Sequence, residues 1–267
     1  GPGAANITTG IGGALLDRSP VIVLTSEMSD RMAGRTTQMN INHQKLFGPL
    51  TKATFRLNAE NADEVIQSAL NICREEYPGP VHIGLPSDIA EIEAIPYTGK
   101  VFHSTINKPE NTTDKIVSLL ERAKKPILAV GLTAKRMKIR KELLSFLERY
   151  SMPVVITPMA KGIIPEEHPC YAGVLFHALS NCLNDLYNRC DLVIGLGYDQ
   201  VEYNYESWIP DVPLIHFDTK ETDLPDRDNI LRFTCTPEEW FSILNNHCSI
   251  SLVPEKAIIK GIRDEME

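Results

Sequence analysis

Residues 126–136 read PILAVGLTAKR. An unbroken apolar run stops at Gly131, and a helical pattern follows, predicted over residues 135–149. A short apolar run without alternation suits a strand covered on both faces, the usual state of a strand in a parallel sheet. The same unit recurs along the chain. Thr112 or Thr113 caps the helical DKIVSLLERAKK upstream. Downstream come PVVIT (153–157), a loop to about residue 173, a helix near 176–188, and the apolar runs DLVIGLG (191–197), VPLIHFD (212–218) and LRFTC (231–235). Thr236-Pro237-Glu238-Glu239 starts a last helix, with a capping hydroxyl, proline at the first position and acids in the first turn. Strands that alternate with helices predict a parallel sheet with right-handed crossovers.

The first part of the chain follows a similar rule. Ile7, Ile11, Ala14 and Leu15 recur at helical spacing over residues 4–17, and VIVLT (21–25) predicts a strand buried on both faces. Residues 26–51 have no clear period, and polar TTQMNINHQKLFGPLTK (36–52) reads as a long loop of the functional or mobile kind. KATFRL (52–57) is strand-like. Residues 61–76 predict a helix capped by Asn61, with Val65, Ile66, Ala69, Leu70 and Cys73 on one face. GPVHIGLP (79–86) is a further strand, and the proline-containing, aperiodic 91–112 reads as a linker.

Composition narrows the function classes. A chain of 267 residues suits one large or two modest domains. Its 27 basic against 35 acidic side chains give a net charge of −8, which argues against a general nucleic-acid binder. No apolar run reaches the ~18 residues that a bilayer requires. Six cysteines without a CxxC pair predict reduced, structural thiols and a cytoplasmic protein. The seven histidines show no HxxH or HxxxH spacing, so no metal site is expected from this chain alone.

Glycines at the ends of strands let a ligand approach the backbone. Gly131 in VGLTAKR, and Gly195 and Gly197 in GLGYD, occupy such positions, and Asp218 at the tip of LIHFD stands where an acid can bond a ribose hydroxyl. None belongs to a GxGxxG pattern, and each has an equally ordinary reading as a turn or a cap. Lys135 and Arg136 could hold an anion at a helix start or form a solvated charge run. His216, inside its strand, reads as a core histidine.

Several segments together resemble thiamine diphosphate enzymes of the acetolactate synthase group. Gly1-Pro2-Gly3, Asn6, Gly10, Gly13, Ala14, Asp17 and Pro20 follow the group's cofactor turn, helix and strand. LFGPLTKATFRL and EYPGPVHIGLPSDIAE are similar to the group's next segments, and KPILAVG, PVVITPMAKGIIPEEHPCYAG, CDLVIGLGYDQVEY and VPLIHFD to those of its central domain. The resemblance implies an α/β chain: residues 1–95 as the second half of a pyrimidine-binding domain, 96–112 as linker, 113–254 as a six-stranded, Rossmann-like doubly wound domain, and 255–267 leading to an absent diphosphate-binding domain. It implies thiamine diphosphate and magnesium in the parent enzyme, a 2-keto acid substrate such as pyruvate, and a homo-oligomer, dimer or tetramer. It places Pro2 and Asn6 near the cofactor pyrimidine, and puts Glu27 where many members carry an active-site glutamine, as a functional acid or an ordinary loop acid. His43, Gln44 and Phe47 fall in a substrate channel or a packing interface. The family's glutamate and its GDG motif fall outside this sequence, so no catalytic residue is assigned. YDQVEY (198–203) replaces the ARFDDR of flavin-binding members, so FAD is not expected. The alternative is a non-catalytic module that binds FAD, ADP or coenzyme A.

Overall fold

The computed structural model describes residues 1–99, 113–175, 183–202, 211–222, 224, 226–248 and 259. Most of the expected linker, the first part of the helix expected near 176–188, Tyr203 and nearly all of 255–267 lie outside the described residues. The chain divides into two compact units, Gly1–Thr105 and Ile106–Glu267.

In the first unit, helices α1 (Pro2–Asn6) and α2 (Thr8–Leu16) lead into β1 (Ile22–Glu27). Then come α3 (His43–Phe47), β2 (Ala53–Arg56), α4 (Ala62–Arg74) and β3 (Val81–Pro86). The strands form a parallel sheet of order β1-β3-β2. One face carries Ile22, Val81, Ile83, Leu85, Ala53 and Phe55 and packs on Val65, Ala69 and Cys73 of α4. Two expectations change here. β1 is an edge strand whose burial alternates, and Leu24 is 67% exposed rather than buried on both faces. The polar stretch 36–52 contains α3, because Asn42 Oδ1 accepts from the Lys45 N–H at 2.8 Å and caps five residues too short to display a period. Asn40 stitches the preceding segment by donating to the carbonyls of Met32, Ala33 and Arg35. Asn61 stands at the N-cap of α4, but its Oδ1 accepts from the Asn58 N–H instead of the helix.

The second unit contains α5 (Thr113–Arg122), β4 (Pro126–Val130), α6 (Leu132–Arg136), α7 (Arg140–Tyr150), β5 (Val154–Ile156) and β6 (Tyr171–Val174). After these come α8 (Asn184–Arg189), β7 (Leu192–Leu196), β8 (Leu214–Asp218), β9 (Ile230–Thr234) and α9 (Pro237–His247). The parallel order β6-β5-β4-β7-β8-β9 is the doubly wound, Rossmann arrangement. Apolar clusters cover both faces, one against Leu143, Phe146, Trp240 and Leu244, the other against Leu183, Leu186 and Tyr198. That double cover is why these strands read as unbroken apolar runs. Two expectations are refined. The single helix over 135–149 is broken by Lys138, whose φ of +57° turns the chain and brings Ile139 into the core. The expected loop to 173 ends in β6, which its short length and a bulge at Gly173, φ +134°, hide from a pattern search. Thr236 caps α9 as expected, and Glu239 reaches back to complete a capping box.

Candidate functional site

Side chains alternate across a strand, and the register of the three-stranded sheet decides which share a face. Thr25 of β1 pairs with Gly84 of β3, and His82 and Gly84 of β3 pair with Thr54 and Arg56 of β2. Thr25, Glu27, Thr54, Arg56, His82 and Gly84 therefore share one face, opposite the apolar one packed on α4. Polar groups buried in such a place cost free energy unless hydrogen-bonded. Here they meet one another and the side chains of α3.

His82 is fully buried and lies under Phe47, with ring centroids 4.3 Å apart. Its Nε2 is 2.8 Å from Thr25 Oγ1, and its Nδ1 is 2.7 Å from Thr54 Oγ1. The same Thr25 hydroxyl is 2.8 Å from His43 Nδ1, which in turn is 3.8 Å from Glu27 Oε1. Glu27 Oε1 accepts from Gln44 Nε2 at 2.6 Å, and Oε2 accepts from Arg56 Nε at 2.8 Å. Arg56 also pairs with Asp30 and donates to the Met28 carbonyl. Gly84 makes room for the carboxylate, because a Cβ there would stand 1.9 Å from Glu27 Oε1. Burial lowers the pKa of both imidazoles against the pull of Glu27, that of His82 to about 4. Both rings are neutral at pH 7.

The structure thus brings together Glu27, His43 and Gln44, with Phe47 stacked on His82. Glu27 is the last residue of β1 rather than a loop acid. Sequence reading missed Thr25, Thr54, Arg56 and His82. The available signal was parity: each strand puts its polar residues on the same alternate positions. The histidine spacing gave no sign of a cluster, because His43 and His82 come from separate elements. Glu27, His43 and His82 nonetheless present metal-ligating atoms all within 4.8 Å of one another.

Pro2 and Asn6 are exposed on α1. A Cβ at Gly1 would overlap the Met39 carbonyl, whereas Gly3 and Gly10 face open space. The expected turn is thus a helix start, because proline at the first position is already set for helical φ, and this open, side-chain-poor start fits a flat ring laid against backbone. The nitrogen-rich cluster around Glu27 does not fit magnesium, which prefers an octahedron of oxygens.

In the second unit, ligands of this fold bind beyond the carboxyl ends of the strands at the topological switch point, here between β4 and β7. A Cβ on Gly131 would lie 2.0 Å from Tyr198 Cβ, one on Gly195 2.6 Å from Tyr198 Cε1, and one on Gly197, φ +54°, 2.6 Å from the Ala134 nitrogen. The room beside all three glycines is filled by the chain itself. Glu202 also occupies the switch point. Its Oε2 accepts from the N–H groups of Leu132 at 2.9 Å and Asp199 at 3.0 Å, and its Oε1 accepts from the Thr157 hydroxyl. Burial raises its pKa to about 7, although these three donors favour the charged form. Asp218 is buried, and its Oδ1 accepts from the Thr219 N–H at 2.6 Å. His216 is a satisfied core histidine between the Tyr198 carbonyl and the Thr222 hydroxyl. Lys135 donates to the carbonyls of Met159 and Lys161. Among the described residues, no helix is long and apolar enough to cross a membrane.

Comparison with known proteins agrees with this architecture. Residues 113–232 match the central domain of thiamine pyrophosphate enzymes. The benzoylformate decarboxylase of Polynucleobacter necessarius shares the fold, with a TM-score of 0.77 and 17% identity over 92% of this chain and 48% of that one. The matched residues are thus similar to the central domain of the thiamine pyrophosphate enzymes. Within that class its relatives include acetolactate synthase large subunits. A probable one from Methanocaldococcus jannaschii is 31% identical over 84% of this chain and 40% of its own length. One from Corynebacterium glutamicum is 29% identical over 84% of this chain and 37% of its own length. The chain therefore spans about 40% of the length of these curated relatives.

Proposed function

We propose that the chain serves a thiamine diphosphate-dependent enzyme of the acetolactate synthase type, which decarboxylates a 2-keto acid and joins the remainder to a second carbonyl compound. The observation that carries this reading is the similarity to acetolactate synthase large subunits, which extends over 84% of the chain. When bound, thiamine diphosphate supplies the carbanion that the reaction requires. Pro2 and Asn6 would lie against its pyrimidine, where the open start of α1 leaves space. Arg56 and Gln44 hold the Glu27 carboxylate fixed from two sides, His43 stands 3.8 Å from it, and Phe47 stacks on His82. On this reading Glu27, His43, Gln44 and Phe47 border the substrate channel. Magnesium would bind through residues other than the described ones.

A nucleotide-binding module has less support. The crevice at Gly131, Gly195 and Gly197 is filled by Tyr198 and the start of α6, and Asp218 already bonds its neighbour. We propose an enzyme without FAD for the same reason, acting as a homo-oligomer in the cytoplasm. Reduced thiols at Cys73, Cys170, Cys190, Cys235 and Cys248 suit a reducing compartment.

The product of the full coding sequence, given pyruvate, thiamine diphosphate and magnesium, is expected to form 2-acetolactate, measured as acetoin after acid treatment. Asn6→Ala is expected to raise the thiamine diphosphate concentration for half-maximal rate about 10-fold, the worth of one hydrogen bond at the upper end of the usual range. Failure to consume any 2-keto acid in the presence of thiamine diphosphate would overturn the reading.

A further inference from the structure

The cluster on the inner face of the first sheet contains more ligating chemistry than a core needs. Two imidazoles and a carboxylate converge there from β1, α3 and β3, three separate elements, with their donor atoms within 4.8 Å of one another. We propose that His43 Nδ1, His82 Nε2 and Glu27 Oε1 bind a divalent transition-metal ion of the zinc type, with the Thr25 hydroxyl as a neutral fourth donor.

The geometry is near what such an ion takes. Zinc holds nitrogen and oxygen ligands at about 2.0–2.2 Å in a tetrahedron, which separates neighbouring donors by about 3.3–3.5 Å. His43 Nδ1 and Glu27 Oε1 are 3.8 Å apart, so a few tenths of an ångström close this edge. Thr25 Oγ1, 2.8 Å from both ring nitrogens, already lies between the two imidazoles. The other atoms of each ligand are held in the way that metal ligands usually are. His82 Nδ1 faces Thr54 Oγ1 at 2.7 Å, which fixes the tautomer with Nε2 unprotonated once an ion is bound. The carboxylate divides its two oxygens. Oε2 faces the Arg56 guanidinium at 2.8 Å, whereas Oε1 faces His43 and accepts from Gln44 at 2.6 Å. The arginine thus orients the carboxylate from the side away from the imidazoles. Gly84 leaves the space in which that carboxylate sits.

The donor set selects the kind of ion. Two nitrogens and one carboxylate suit zinc, cobalt, nickel or copper, and do not suit magnesium or calcium, which take oxygens. The competing description is a closed hydrogen-bond network in which the Thr25 hydroxyl donates to one ring and accepts from the other.

The test uses the full-length protein, stripped with a chelator, and reads metal rather than activity, so its outcome is independent of the reaction proposed above. Titration with cobalt chloride should give visible d–d bands of a low-symmetry site. Dialysis against zinc chloride should leave one zinc per chain by elemental analysis, and millimolar magnesium chloride should not displace it. His43→Gln, His82→Gln and Glu27→Gln, each checked for folding by circular dichroism, should weaken zinc binding by about 100-fold or more, because loss of an outer partner alone costs 10–100-fold. Absence of cobalt bands and of retained zinc in the folded wild-type protein would leave a hydrogen-bond network only and overturn the proposal. Binding of undiminished affinity in all three folded variants would place the metal elsewhere and overturn it equally.

Discussion

Glu202→Gln isolates the energetics of the crevice at the switch point. In the folded protein the Glu202 carboxyl titrates near 7 because burial disfavours its charge, although Leu132, Asp199 and Thr157 all donate to it. In an unfolded chain it titrates near 4.5. Between these values the native state binds the extra proton, so stability falls as pH rises. The contribution is fully present below about 4.5 and lost as pH passes through 7. A gap of roughly 2.5 pKa units corresponds to about 3 kcal/mol at pH 8, about 2 kcal/mol at pH 6 and close to zero at pH 4. Glutamine is the uncharged isostere. Its carbonyl can accept from both N–H groups, while its amide faces the Thr157 hydroxyl. The difference in unfolding free energy between Glu202→Gln and wild type should therefore favour the variant by about 3 kcal/mol at pH 8 and shrink to nothing by pH 4. The difference is needed because His216, lowered by burial to about 4, tilts the wild-type curve in the opposite sense between pH 6.5 and 4. Urea unfolding followed by tryptophan fluorescence suits the test, since Trp240 is buried in the core of the second unit. A difference independent of pH, or a variant several kcal/mol less stable at pH 8, would refute the reasoning and show that the carboxylate charge is required there.

Other outcomes follow from the packing. Thr236→Ala removes the capping hydroxyl of α9 and should cost about 1 kcal/mol in the same unfolding assay. Phe146→Ala empties a site beside Tyr150 and Phe241 in the core and should cost about 3–5 kcal/mol. Gly131→Ala would drive a methyl group into the backbone and Cβ of Tyr198, so it should lower the thermal midpoint, whereas Gly3→Ala, which meets open space, should leave it nearly unchanged.

The sequence by itself determined the alternation of strands and helices, the parallel sheets and the cap of α9. These follow from local rules: unbroken apolar runs for strands covered on both faces, period 3.6 for helices, and Thr-Pro-Glu-Glu at a helix start. The core character of His216 was legible too, whereas the expected turn at Gly1–Gly3 is the start of α1, with Pro2 at its first position. Tertiary structure alone decided which residues meet. His43 and His82 are brought together only by the register that sets Thr54 beside His82 and by the short helix α3, whose five residues carry no period. Glu27 reads as a loop acid until β1 is seen to extend to it, and then Gly84, across the sheet, explains how its carboxylate can be buried. Gly131, Gly195 and Gly197 have the composition of a ligand crevice, yet what approaches them is Tyr198 and the start of α6, because in a folded chain a glycine admits any neighbour and sequence does not say which. Even the exposure of Leu24 depends on β1 being an edge strand, a fact of strand order that no local pattern contains. Short-range order is encoded in residues that are neighbours along the chain. The site depends on residues that become neighbours only when the sheet has formed.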